Sequence, residues 1–417
     1  MTLSHAEYQA IANQLTPNGQ AFIDGKFCDA LDGEKFETTN PATGQVLASV
    51  AHCKAADVDR AVIAARRVFN AGTWSRAEPE ERKEVLLKVA ELVRKHTHEL
   101  AVLESMDTGK TINDCMDEIG GEVPNFFQWY AELADKTFGK IAPTGPGALA
   151  LITKEPAGIA GAVLPWNFPL VMAAWKIAPA LAVGCSAVIK PAEQTSLSAI
   201  RLAELMQEAG VPDGVINIVP GFGETAGKAI GLHNDIDTVS FTGSTEVGRM
   251  FMRYSGDSNL KGVGLEMGGK SPFIVLDDAL INDDLIEHAA MSAFWNGGQN
   301  CTANMRQLIA APLVEEFTGR ILERVKAFKL GDPLDPATDI GSMITKDHKA
   351  MVMNYIQSGV DEGANMLVGG ASDLPGYFIE PTVFQNVTPE MKIAREEIFG
   401  PVLGIMPIKT AEEALAV

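Results

Sequence analysis

Apolar positions along the chain shift their period in a way that predicts the order of its elements. The first fifty residues read as strands and turns, and Ala21-Phe-Ile-Asp-Gly-Lys-Phe-Cys28 carries a hairpin signal at Asp24-Gly25. Helical periodicity takes over at residues 57–69 and 81–105, where Val85, Leu86, Val89, Leu92 and Val93 form an apolar stripe between charges. From Gly158 strands and helices alternate. Strands are predicted at 159–164, 186–189, 215–219 and 238–241, with helices at 197–209 (closed by Gly210), 223–230 and 246–254. Such repetition specifies an α/β fold with a parallel sheet covered on both faces. A second series opens at Pro272-Phe-Ile-Val-Leu276 and continues through helices near 283–294 and 314–328, so the pattern predicts two α/β units joined near Gly268-Gly269. Residues 138–154, with Pro143, Gly145, Pro146 and Gly147, read as an excursion between elements. The uncharged run 156–175 is broken by Pro156, Pro165, Asn167 and Pro169, so it reads as buried strand and loop rather than a membrane span.

Composition narrows the classes. A chain of 417 residues with 46% hydrophobic and 21% charged residues is globular and long enough for two or three domains. The net charge of −20 argues against a broad nucleic-acid or anionic-membrane surface, while leaving room for one local anion site. Five scattered cysteines without a CxxC spacing, and seven His without HExxH, do not read as a disulfide framework or a zinc site, so no metal is expected. The N-terminus has no basic region followed by an apolar core, and a reducing cytoplasm is the expected compartment.

Several segments could carry chemistry. Val219-Pro-Gly-Phe-Gly223-Glu-Thr-Ala-Gly227 and Phe241-Thr-Gly243-Ser244-Thr-Glu-Val-Gly248 each follow a strand and enter a helix. Free N–H groups there, with the Ser244 hydroxyl, can hold a pyrophosphate, although a tight packing turn explains the spacing equally well. Lys190-Pro-Ala-Glu193 closes a strand. Its carboxylate can accept from ribose hydroxyls and repel a 2′-phosphate, or simply form a surface ion pair. Cys301 lies in polar, glycine-rich surroundings, unlike Cys185, which reads as a small buried hydrophobe. Glu266 in Gly264-Leu-Glu266-Met-Gly is expected to be half-buried, as a general base or as a carboxylate satisfied by the glycine turn. Asn167 sits between two prolines, held to donate to an oxyanion or to organise its loop.

Together, Pro165-Trp-Asn-Phe-Pro169, Lys190-Pro-Ala-Glu193, Phe241-Thr-Gly-Ser-Thr245, Glu266-Met-Gly-Gly-Lys270, Gly298-Gln-Asn-Cys301 and Glu396-Glu-Ile-Phe-Gly-Pro401 closely resemble the aldehyde dehydrogenase superfamily, in its order and over essentially the whole chain. The resemblance implies a Rossmann-type NAD-binding domain (residues 1–137 and 155–267), a bridging hairpin (138–154) and a catalytic domain (268–417). It casts Cys301 as nucleophile, Asn167 as oxyanion donor and Glu266 as the base that activates water. It assigns Pro165, Trp166, Lys190, Glu193, Gly223, Gly243, Ser244, Glu397 and Phe399 to NAD, and leaves Lys176 near the active site without a role. Phe168, Trp175, Trp295 and Asn300 are expected to line the aldehyde tunnel.

His233-Asn-Asp-Ile-Asp237, Ser255-Gly-Asp-Ser-Asn259 and Leu334-Asp-Pro-Ala-Thr338 look like the bacterial γ-glutamyl-γ-aminobutyraldehyde dehydrogenase branch of polyamine breakdown. Betaine-aldehyde and broad aliphatic dehydrogenases remain alternatives, as does an NADP-preferring semialdehyde enzyme, which Glu193 argues against. Relatives continue past a segment like Ala411-Glu-Glu-Ala-Leu-Ala-Val417, so the catalytic domain is expected to be incomplete at its C-terminus. A homodimer or homotetramer is expected of the full-length form, and a scaffold without activity is the competing reading for this chain.

Overall fold

Asp24 and Gly25 both take positive φ, 55° and 73°, and their turn joins strands β1 (Ala21–Ile23) and β2 (Lys26–Cys28). The structure, a computed structural model, describes residues 2–417. Strands β3 (Lys35–Thr39) and β4 (Val46–Ala51) form a separate ribbon, as do β5 (Lys140–Ala142) and β6 (Ala150–Ile152). Strands β7 (Ile159–Val163), β8 (Ser186–Lys190), β9 (Ile216–Ile218), β10 (Thr238–Gly243) and β11 (Gly262–Met267) follow. The last group is β12 (Pro272–Val275), β13 (Arg306–Ala310), β14 (Asn365–Ala371), β15 (Ile379–Gln385) and β16 (Val402–Ile408).

A seven-stranded sheet runs β11-β10-β7-β8-β9-β1-β2 and a five-stranded sheet runs β12-β13-β16-β15-β14. Gly268 and Gly269 therefore lie where the chain leaves one sheet for the other. Strands β7 to β11 are mutually parallel, as their alternation with helices demands. Each parallel sheet also carries an antiparallel addition: β1 joins β9, and β14 joins β15. A hairpin needs no crossover helix, so it can dock on an edge that a βα unit has left open.

Strand β8 is buried throughout, and its alternation divides the core. Ala187 and Ile189 face a cluster with Leu86, Phe127 and Leu170, whereas Val188 faces one with Val58, Val62, Ile230 and Phe251. Two readings of the helices change. Residues 81–105 form two helices, Pro79–Lys95 and Thr97–Thr108, because the chain turns at His96 (φ −100°, ψ 17°). There the Thr97 hydroxyl donates back to the carbonyls of Val93 and Arg94. The run expected as strand and loop instead enters a helix, Pro169–Ala182, whose first residue needs no N–H. Among the described residues no helix is long and apolar enough to cross a membrane.

Candidate active site

Read from β9, the parallel strands run β9-β8-β7-β10-β11, so successive connections leave β7 in opposite directions. That reversal opens a crevice beyond the carboxyl ends of β7 and β10, where ligands bind in such sheets. Four segments reach it: Leu164 to Phe168 after β7, Lys190 at the end of β8, Ser244 after β10 and Glu266 near the end of β11.

Ser244 caps the helix Thr245–Gly256, its hydroxyl accepting from Val247 N at 3.3 Å. Gly243 ends β10 beside it, and Gly223 opens the neighbouring turn with open space where a side chain would stand. Lys190 Nζ lies 2.8 Å from Glu193 Oε2, but Lys190 is only 3% exposed, so this is no surface ion pair. The Trp166 ring meets the edges of His348 and Phe399, each 5.2 Å away between centroids. His348 Nε2 bonds the Phe399 carbonyl at 2.7 Å, and burial holds its pKa below the usual value. Phe399 itself adopts φ 57°, a left-handed backbone that this packing holds in place. Glu397 is pressed against Gly268, where any Cβ would collide with its carboxylate, and its Oε1 is buried without a partner. Burial raises its pKa, opposed by the Gly269 N–H and by Lys270.

The loop that carries Cys301 is built by consecutive left-handed residues, Asn296 (φ 51°), Gly297 (60°) and Gly298 (70°), after the helix Asp283–Phe294. A side chain at Gly298 would meet the Gly400 carbonyl. Gly298→Ala is expected to cost about 1–3 kcal/mol through the strained backbone alone, read as a lower melting temperature, with turnover lost alongside. Asn167 Nδ2 donates to Gln299 O at 3.0 Å, and Asn296 Nδ2 donates to Asn167 O at 3.3 Å, so the two loops are stitched together. Pro165, two residues earlier, is half-buried. Phe168 packs on Trp295 at 5.2 Å. Asn300 is buried and turned back, its Oδ1 accepting from the N–H and hydroxyl of Thr302.

Cys301 is exposed at the end of this loop. Burial of its sulfur raises the pKa most, the carboxylates of Glu397 and Glu266 raise it further, and the N–H groups of Cys301 and Thr302 pull it down. The thiolate therefore gains population as pH rises. Alkylation of Cys301 by iodoacetamide is expected to climb nearly tenfold per pH unit up to at least about 8.5, the ordinary cysteine value. A plateau at lower pH would refute this.

Glu266 differs from its expected setting. It is exposed rather than half-buried, because β11 is the edge of its sheet and its burial alternates, leaving the last residues outward. No hydrogen bond ties it to the other site residues; its charge acts on Cys301 and on Lys176. Lys176 Nζ donates to Ser240 Oγ at 2.9 Å, and burial lowers its pKa to about 8. Trp175 is 45% exposed and stacks on Phe126 at 5.8 Å, apart from the Phe168–Trp295 pair. His348, Ser240, Phe126 and Gln299 were not singled out in the sequence. Only Gln299 lay inside a quoted motif; the others reach the site by tertiary packing alone.

Residues 27–417 match the aldehyde dehydrogenase family. The chain is 48% identical to an aminoacetaldehyde dehydrogenase of Pseudomonas aeruginosa over 414 residues, which covers 99% of this chain and 83% of the relative. Its structure superposes with a TM-score of 0.97 on a γ-glutamyl-γ-aminobutyraldehyde dehydrogenase of Burkholderia cenocepacia, at 44% identity over 99% of this chain and 84% of the other. An NAD+ complex of an aldehyde dehydrogenase from Bacillus cereus matches at 0.94, with 42% identity over 98% and 83% of the two chains. On this fold, this site and these likenesses, the chain belongs to the aldehyde dehydrogenase family.

Proposed function

We propose that the chain oxidises an aldehyde to a carboxylic acid, with NAD as oxidant and Cys301 as nucleophile. The observation that carries this reading is the stitched pair of loops. Asn167 is fixed to Gln299, two residues before Cys301, so its amide and the Cys301 N–H can face one oxygen beside the sulfur. The residues at the crevice also fit the cofactor. The orphaned, buried Oε1 of Glu397 suits a ribose hydroxyl, the Ser244 helix start suits a pyrophosphate, and Glu193 at the end of β8 suits an adenosine ribose without a 2′-phosphate. Gly223 leaves open space for a phosphate to approach the backbone, Gly243 stands beside the Ser244 cap with its own side-chain position taken by the Phe241 ring, and Trp166 with Pro165 and Phe399 is proposed to wall the nicotinamide end.

Bound NAD supplies the hydride acceptor. The Cys301 sulfur attacks the aldehyde carbon to form a thiohemiacetal, whose oxyanion is held by Asn167 and the Cys301 N–H. Oxidation leaves a thioester on the sulfur, and Glu266 takes a proton from the water that releases the acid. The exposed position of Glu266 gives it access to that water.

An aminoaldehyde or γ-glutamylaminobutyraldehyde is the proposed substrate, supported by the relatives named for such aldehydes and by the motifs they share. Phe168, Trp295, Asn300 and Trp175 are proposed to bound its tunnel. Apolar walls separate similar chains by only about 1–3 kcal/mol per methylene, so several aldehydes are turned over. The test is NADH absorbance with purified 417-residue protein and a panel of amino-, betaine and aliphatic aldehydes, with NAD and NADP compared. Turnover with NAD, best on aminoaldehydes, is expected; a preference for NADP would overturn the role of Glu193. No turnover of any aldehyde would favour the inactive scaffold.

The hairpin β5–β6 displays Ile141 and Leu151, 72% and 62% exposed, and its free edges fit pairing with a second copy. A homo-oligomer is accordingly proposed, to be read by light scattering. All five cysteines are free, which suits a cytoplasmic setting.

A further inference from the structure

Directly beneath the loop that carries Asn167 lies a charged cluster for which the oxidation chemistry has no use. Lys110 is fully buried, with its Nζ 2.6 Å from Glu118 Oε2, a side chain only 2% exposed. The ammonium also stands 4.0 Å from the centre of the Phe168 ring. Glu104, fully buried nearby, accepts from Leu170 N at 3.1 Å and from Ser198 Oγ at 3.0 Å. Asp114 and the buried Cys115 close the cluster, and the ring of Trp295 packs on Phe168. One oxygen each of Glu104 and Glu118 is left without a partner. Glu118 begins a π turn, Glu118–Glu122, a wide turn of a kind frequent at functional sites.

Stability does not account for this arrangement. Removing two ions from water costs several kcal/mol per ion, and apolar replacements of buried pairs are often neutral or stabilising. What the cluster touches is informative: the face of Phe168, which itself packs on Trp295, and the first free N–H after Pro169. These contacts flank Asn167 directly and reach Trp295, next to Asn296, through the Phe168 ring. We propose that Lys110, paired with Glu118 and assisted by Glu104, is a positioning residue for aldehyde oxidation. Its cation fixes the Phe168 ring while Glu104 anchors the start of the following helix, so the Asn167 amide is held toward Cys301. The proposal rests on the catalytic reading of Cys301 and Asn167 given above.

The test replaces the pair by apolar groups, Lys110→Met with Glu118→Leu, in the full chain. Burial pushes the Glu104 carboxyl up and the Lys110 cation pulls it down, so replacing the pair makes it easier for Glu104 to take up a proton in place of its neighbouring cation. The expected result is a protein with an NAD dissociation constant within about twofold of the parent and an aldehyde kcat/KM about tenfold to a hundredfold lower, as for a small misplacement near the reacting atoms. The isosteric Glu118→Gln keeps the packing but leaves the buried Lys110 cation without its carboxylate, so it is expected to lower the melting temperature, and in the folded protein to lower aldehyde kcat/KM at least about threefold while leaving NAD binding unchanged. In a Phe168→Leu background the pair replacement is expected to cost less than about twofold, since the ring it holds is gone. Unchanged aldehyde kinetics in both variants, or losses that simply multiply with Phe168→Leu, would overturn the positioning role. Those outcomes leave the catalytic reading intact, because that reading is tested separately by Cys301→Ser.

Discussion

Cys301→Ser is expected to lower aldehyde-dependent NADH formation by about 10⁴-fold or more, on the scale of removing a nucleophile from a set of residues that act as a unit. The substitution changes one atom and leaves the loop's conformation to Asn296, Gly297 and Gly298, which already hold it in left-handed geometry. NAD binding should therefore survive, since its proposed contacts at Ser244, Glu193 and Glu397 lie on other segments. The chemistry does not survive. A hydroxyl is far less acidic than a thiol, and the neighbouring carboxylates of Glu397 and Glu266 disfavour a further negative charge beside them. Serine would also leave an ordinary ester where the thioester is the better acyl donor. Full-rate NADH production by the serine variant would remove Cys301 from the mechanism.

Glu266→Gln is expected to separate the two halves of the reaction. An amide of the same size cannot take a proton from water, so the thioester forms and then persists. Rapid mixing with excess aldehyde and NAD should show a burst approaching one NADH per active site. A steady rate lowered about 10²–10⁴-fold should follow, the usual contribution of a general base. Exposure of Glu266 makes the measurement clean for folding, because replacing a residue at the outward end of an edge strand disturbs little packing. An undiminished steady rate would assign water activation to another group. A slowed steady rate without a burst would place the role of Glu266 before hydride loss instead.

Much of the architecture was legible in the residues themselves. Period-two and period-3.6 patterns are local, so strands β7, β8 and β10 and the helix Leu197–Ala209 emerge from alternation and from Gly210. The six motifs carried the family, and with it the proposed nucleophile, because their residue types, order and spacing together resemble that family's. What sequence could not decide depended on which segments meet. Whether β1 and β14 join their sheets antiparallel is a matter of which edge is left open, and the hairpin signal contains no address. The exposure of Glu266 followed from β11 lying at an edge, where Met267 is exposed as well, although apolar neighbours in the sequence predict a half-buried carboxylate. Phe399 holds φ 57° only because Trp166 and His348 close around it, from positions far away in the chain. Likewise Lys110, Glu118 and Phe168 carry no shared motif, and a lysine in Gly109-Lys110-Thr111 reads as solvated until folding buries it against an aromatic face. Patterning along the chain reports what each segment prefers as its neighbour was before folding. Strand order and long-range packing then choose the neighbours, and only these set burial, charge and the angle at which a side chain meets the reacting atoms.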